Sequence, residues 1–246
     1  MSKHILMIVS NSATSNIGKP VGICAVELIH PYAVLKASGC QVTIASSQGG
    51  PIELDAQSEP RDPSGFLSLD ILSARYITQA AFTDQLSNTP AISNLNTQDY
   101  DAIFVCGGQG TLYTFPKDKA LTDLFVSFYQ DEKPSATLCR GACLLLNATL
   151  DNGEPLIQGK MITGFSKKEE QWMSKNFGPM MVPFVVEEEA KKRGAKFVAS
   201  SAFTPFVIQD SNLITGQQSN SAFLTASLVL KALDLDFNDS YFDNSH

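Results

Sequence analysis

The chain has 246 residues, a formal net charge of −7 and 43% hydrophobic residues, enough apolar material to fill one sizeable core. An isoelectric point near 4.9 argues against a nucleic-acid partner, since phosphate backbones are held by clustered Lys and Arg. The longest N-terminal apolar run, Ile5 to Val9, is too short for a signal-peptide core, and nothing approaches the roughly 18 apolar residues of a membrane span. A cytoplasmic protein without a membrane partner is therefore expected.

Taken in chain order, Ile5–Val9 reads as a strand, Ala25–Ser38 as a helix that Pro31 must kink or restart, and Gln41–Ala45 as a second strand. The stretch from Pro51 to Asn94 departs from this rhythm. It is rich in Ser, Asp, Pro, Asn and Gln, with one short helix near Ile71–Phe82, and reads as a surface excursion that walls a pocket, covers an edge or contacts a second copy. A strand over Ala102–Cys106, a helix over Lys117–Tyr129, a strand over Ser135–Leu138 and a helix over Gly141–Ala148 follow. Next come a strand at Met161–Thr163, helices over Lys167–Asn176 and Val185–Arg193, strands at Phe206–Ile208 and Leu213–Thr215, and a helix over Ser221–Leu233. The tail from Asp234 to His246 is acidic and polar and is expected at the surface. Apolar strands alternating with helices predict a single domain over 1–246, a three-layer α/β/α sandwich around a mainly parallel sheet.

The chemistry concentrates at two strand ends. In Pro134-Ser-Ala-Thr-Leu-Cys139-Arg140-Gly141, an apolar strand runs into a cysteine and then into an apolar helix, which is where an α/β enzyme holds a nucleophile. The helix start supplies free N–H groups and positive potential, so an exposed, persistent thiolate is expected. The strand Ala102–Cys106 ends in Gly107-Gly108-Gln109-Gly110, whose glycines let backbone N–H groups turn toward a ligand. This turn lacks the spacing of a dinucleotide or phosphate loop, and no cofactor is expected. The amides of Gly108 and Arg140 are candidates for a two-donor oxyanion hole. Glu27, near the start of the first helix among apolar neighbours, is a solvated helix residue or an inward-turned acid with a raised pKa. His30, three residues on, shares its face and otherwise packs at a helix end. The chain has only three histidines, His4, His30 and His246, and none is close to Cys139 in sequence.

Among the other cysteines, Cys24, Cys40, Cys106 and Cys143 read as core, with Cys106 and Cys143 placed where either could resolve an oxidised Cys139. Five cysteines without Cys-x-x-Cys spacing suit a reducing compartment and no zinc site, and no other His, Cys or carboxylate cluster suggests a metal. Trp172, Met173, Met180 and Met181 look like packing.

The segments Glu27-Leu-Ile-His-Pro-Tyr32, Val42 to Gly50, Asp99 to Gly110, the Cys139 turn, Gly159 to Phe165, Val182-Pro-Phe184, Gly194-Ala-Lys-Phe197 and Asn212 to Gln217 resemble the ThiJ/PfpI superfamily, also called the DJ-one superfamily. Within it they resemble the branch of heat-shock chaperones and glutathione-independent glyoxalase III proteins, with the fold of class I glutamine amidotransferase domains. The resemblance implies that Cys139 is the nucleophile and Glu27 the carboxylate beside it. It implies that Gly108 and Arg140 supply the oxyanion-binding amides, with Gly107, Gln109, His30 and Glu170 binding substrate or supporting the site. It further implies a small carbonyl substrate, as in methylglyoxal conversion to lactate, and a homodimer. Members of this branch carry a histidine directly after the cysteine, supported by an acid at about Glu170; here that histidine is Arg140, which stays protonated and cannot serve as a base.

Three consequences are open. Glu27 carries the proton transfers alone; or the Cys–Glu pair performs a different addition, as in the related isonitrile hydratases; or the protein is a redox-responsive thiol protein or holdase chaperone. Arg140 in turn either pairs with Glu169 or Glu170, or binds a substrate carboxylate through two parallel hydrogen bonds.

Overall fold

The computed structural model describes residues 2–178 and 182–237. Strand β1 (His4–Val9) is followed by a minimal antiparallel hairpin, β2 (Ala13–Thr14) and β3 (Pro20–Val21), and then by α1 (Ala25–Ala37) and β4 (Gln41–Ser46). The excursion contains two helices, α2 (Ile71–Ile77) and α3 (Ala80–Ser87). After it come β5 (Ala102–Val105), the single turn α4 (Thr111–Thr114), α5 (Lys119–Gln130) and β6 (Ser135–Leu138). The C-terminal part adds β7 (Met161–Ile162), α6 (Lys167–Phe177), α7 (Val186–Lys192), β8 (Lys196–Phe197), β9 (Val207–Asp210), β10 (Leu213–Gly216) and α8 (Ala222–Ala232).

Six strands form the central sheet in the order β4-β1-β5-β6-β10-β9. All neighbours are parallel except β9, which pairs antiparallel with β10 at one edge. Because successive side chains on a strand point to opposite faces, β1 divides its apolar run between two cores. Ile5, Met7 and Val9 pack with Leu28 and Ile29 of α1 and with Val229 and Leu230 of α8. Leu6 and Ile8 pack with Phe125 and Phe128 of α5 and with Leu144 and Leu145. Strand β5 repeats the division, with Phe104 on the first face and Ile103 and Val105 on the second. Burial on both faces explains why these strands read as unbroken apolar runs, and the molecule is an α/β/α sandwich.

Helix α1 is not restarted at Pro31 but runs through it as one helix, and the structure departs from the sequence expectations in three other places. Proline has no N–H to offer, so the Glu27 carbonyl four residues earlier loses its helical donor. The segment Cys139–Asn147 is wound as a 3-10 helix rather than an α-helix, the tighter form that keeps its leucines against the sheet. Met161–Ile162 lies outside the main sheet and pairs parallel with β8. The main-sheet edge holds it by side chains instead: Asp210 of β9 accepts from the Met161 amide at 2.9 Å and from Lys160 Nζ at 3.1 Å. The excursion carries two helices where one is expected, each covering Tyr32 of α1 through edge contacts from Tyr76 and Phe82. Met180, Met181, His246 and the tail beyond Phe237 lie outside the described residues.

Phe104 is fully buried at the centre of the sheet. A Phe104→Ala variant is expected to lose about 3–5 kcal/mol of stability through the cavity it leaves, measured as a lowered urea midpoint with an unchanged slope.

Candidate active site

Cys139 occupies the first position after β6 with φ of +57°, a left-handed conformation unusual for a residue with a side chain. The sharp turn aims its thiol back over the carboxyl ends of β5 and β6, into a pocket walled by α1, the excursion and α6. The expected exposed thiolate is not what the fold provides. Cys139 is only 1% exposed, and burial, followed by the Glu27 charge, pushes its thiol well above the ordinary cysteine value; the Arg140 guanidinium pulls the other way.

Glu27 sits on the third residue of α1 and is 3% exposed. Burial raises its carboxyl to about 7, against the opposing pull of the Cys139 thiol, the Arg140 charge and the Cys24 thiol. Thiols are weak donors, and Oε2 is buried without a hydrogen-bond partner. Space for this carboxylate exists only because residue 107 is glycine: a Cβ there would run into Glu27 Oε2 and lie 2.8 Å from Cys139 Cβ. The carboxyl and the thiol are therefore pressed together beside a bare backbone. Both favour their protonated forms, and near neutral pH it is Glu27 that titrates.

Arg140 points into the same pocket but is held from behind. Its Nε and Nη2 donate to Glu170 Oε1 and Oε2, each at 2.8 Å, and its guanidinium lies 4.0 Å from the centre of the Phe165 ring. The pair is buried, and the neighbouring carboxylate raises the arginine further, so Arg140 is a permanent cation. Of the two candidate partners, Glu170 makes this pair. Glu169 instead completes a capping box with Ser166 and accepts from the Phe203 amide and Gln217 Nε2, both at 2.9 Å.

The excursion builds one wall of the pocket and also finishes α1. Ile23 bridges Leu54, its amide donating to Glu53 O at 3.0 Å and its carbonyl accepting from the Asp55 amide at 2.7 Å. Cys24, the N-cap of α1, makes no side-chain cap. Ser58 supplies it from 33 residues away, its Oγ accepting from the Ala25 amide at 2.9 Å. Asp55 Oδ1 accepts from the Gln57 amide at 3.0 Å and Oδ2 from the Gln109 amide at 3.3 Å, joining the excursion to the glycine-rich turn.

The pocket thus brings together Cys139, Glu27, Gly108, Gln109 and Arg140, with Gly107 packed beneath the thiol and Glu170 behind Arg140. His30 stands apart: its Nε2 lies 3.0 Å from both oxygens of Asp70, the N-cap of α2. His4 bonds Thr43 on the sheet, so no histidine among the described residues lines the pocket. Sequence reasoning missed Asp55 and Ser58. Their Asp-x-x-Ser spacing signals a polar turn, but nothing local says that the turn faces Glu27. It also took Cys24 for inert core, whereas Cys24 lines the pocket beside Glu27. Cys106 and Cys143 are fully buried and do not line it, and Met173, read as packing, is buried yet forms part of its wall.

Comparison with known proteins agrees with this architecture. A family model described as DJ-1/PfpI matches residues 21–232. Glyoxalase 3 of Candida albicans is 29% identical over 95% of this chain and 99% of its own length. The glutathione-independent glyoxalase HSP31 of Saccharomyces cerevisiae is 30% identical over 88% of this chain and 91% of its own. Among solved structures, Rapid Encystment Protein 24 KDa of Francisella tularensis superposes with a TM-score of 0.84 at 27% identity, covering 94% of this chain and 99% of that one. Glyoxalase III from Candida albicans gives 0.79 at 26%, covering 94% and 97%.

The raised Glu27 carboxyl has a thermodynamic signature. Between pH 4.5 and about 7 the folded chain keeps a proton that the unfolded chain releases, so stability falls as pH rises through that window, by about 3 kcal/mol in total. Glu27→Gln removes this dependence. Denaturant titrations are expected to show the variant more stable than wild type at pH 8, with the difference shrinking toward pH 4.5. Separately, Ser58→Ala is expected to cost about 1 kcal/mol in the same assay through the lost cap.

Proposed function

From the premise that the chain belongs to the DJ-1/PfpI family, with glyoxalase III-like proteins among its relatives, we propose that it converts small 2-oxoaldehydes such as methylglyoxal to 2-hydroxy acids without glutathione. The observation that supports this most is the contact of a buried, protonatable Glu27 with Cys139 in a pocket at the strand ends.

Cys139 sulfur adds to the aldehyde carbon, and its proton passes through Glu27 to the new alkoxide, giving a hemithioacetal. The amides of Gly108 and Arg140 are the proposed donors to the oxygen as it becomes negative. Glu27, again ionised, takes the proton from the former aldehyde carbon to leave an enediolate, then returns it to the adjacent carbon. The hydroxyl proton crosses to the neighbouring oxygen, and the product is a thioester of the 2-hydroxy acid. Water cleaves the thioester and frees Cys139. Oxidation at one carbon balances reduction at the next, so no external electron carrier enters. Arg140 acts in this scheme as a fixed positive charge beside the enediolate, the base being Glu27. A second reading, hydration chemistry by a Cys–Glu pair, draws on the lack of histidine in the pocket among the described residues.

Lactate formation from methylglyoxal, followed without glutathione, tests the proposal. Cys139→Ser is expected to abolish turnover, and Glu27→Gln to lower kcat by about 10²–10⁴ while Cys139 stays open to iodoacetamide. A wild-type enzyme that makes no lactate, with Arg140→His gaining the activity, would overturn it.

A further inference from the structure

The pocket is unevenly charged. Arg140 is the only cation among its described lining residues, and Glu170 already takes two of its donors in a bidentate pair. That leaves the carboxyls of Asp55 and Glu27 lining the pocket with the thiol, and the other polar lining side chains are neutral. Asp55 is 6% exposed, and both of its oxygens accept from backbone amides, Gln57 at 3.0 Å and Gln109 at 3.3 Å. Burial pushes the Asp55 carboxyl up, while the donors on both oxygens and the Arg140 charge pull toward the carboxylate form and fix the group in the wall. These same bonds hold the carboxylate within the segment that caps α1, so it cannot swing away when a ligand enters.

We propose that Asp55 is a specificity residue that makes the pocket a charge filter, admitting uncharged carbonyl compounds to Cys139 and turning away those that carry a carboxylate. This rests on the reading that Cys139 attacks small carbonyl substrates, and it assigns their class as neutral oxoaldehydes in preference to oxo acids. It also answers the alternative role for Arg140: a guanidinium whose Nε and Nη2 are bound to Glu170, in a pocket holding a second fixed carboxylate, is a poor receptor for an anionic substrate group.

The filter is measurable without turnover. Iodoacetamide and iodoacetate differ mainly in charge, and the rate at which each alkylates Cys139, located by peptide mass mapping and divided by its rate with free cysteine at the same pH, reads the field at the sulfur. Wild type is expected to disfavour iodoacetate by about tenfold after this correction, the scale of one like charge at pocket distance in an effective dielectric near 20. Asp55→Asn is expected to narrow that bias several-fold. Gln57→Lys, at a half-buried lining position, is expected to narrow it while leaving Asp55 in place, and it carries the test if Asp55→Asn does not fold. A wild-type ratio equal to that of free cysteine, or a bias that folded Asp55→Asn leaves unchanged, overturns the inference. Methylglyoxal turnover is scored separately. Bias without turnover supports the filter and removes the proposed reaction, whereas turnover without bias supports the reaction and removes the filter.

Discussion

Three groups converge on the space where residue 107 would carry a side chain: the Glu27 carboxylate, the Leu138 carbonyl and the Cys139 Cβ. The missing Cβ lets an acid on the first helix reach a thiol at the end of the fourth main-sheet strand in chain order, across the glycine turn that follows the third. The rest of the site follows from this approach. A carboxylate brought so close, and so dry, holds its proton near neutral pH, and the thiol beside it does the same. Each is a buried acid with a raised pKa, and packing the two together is an energetic cost borne by the folded state.

The arginine that follows the nucleophile fits the same logic. The guanidinium pulls the thiol's pKa down, but burial and the Glu27 charge outweigh it, and a bidentate carboxylate stands behind the guanidinium. What remains is a charge fixed in place, stacked on Phe165 and unable to accept a proton. In the proposed reaction, the roles of base and electrostatic anchor fall separately to Glu27 and Arg140. A histidine at the same position would combine them.

Much of this was legible in the chain. The strands appear as apolar runs because helices cover both faces of the sheet, and the Cys139 turn announces itself by following such a run directly. Glu27 was half legible: its apolar neighbours left open a solvated helix residue or an inward-turned acid, and the family resemblance pointed to the second, which its 3% exposure bears out. What escaped depends on contacts distant in sequence. Helix-start arguments predict an activated thiolate at Cys139, and desolvation outweighs them, a term set by the pocket's depth. Asp55 and Ser58 lie in a polar stretch whose composition reads as surface, and their partners Ala25 and Gln109 are 33 and 54 residues away. The continuous α1 through Pro31 reflects packing of its buried residues against the sheet, α8 and α2, which outweighs one lost helical bond.

The cap that Ser58 places on α1 has a consequence for how the protein comes into being. Cys24 and Glu27 leave the ribosome early, the segment that finishes their helix follows some thirty residues later, and Cys139 arrives only after β5 and its glycine turn. Every contact that assembles the reactive pair is long-range, so the pair does not exist in any fragment ending before β6. A nascent or unfolded chain carries five ordinary cysteines, and chemical competence at Cys139 is a property of the completed fold.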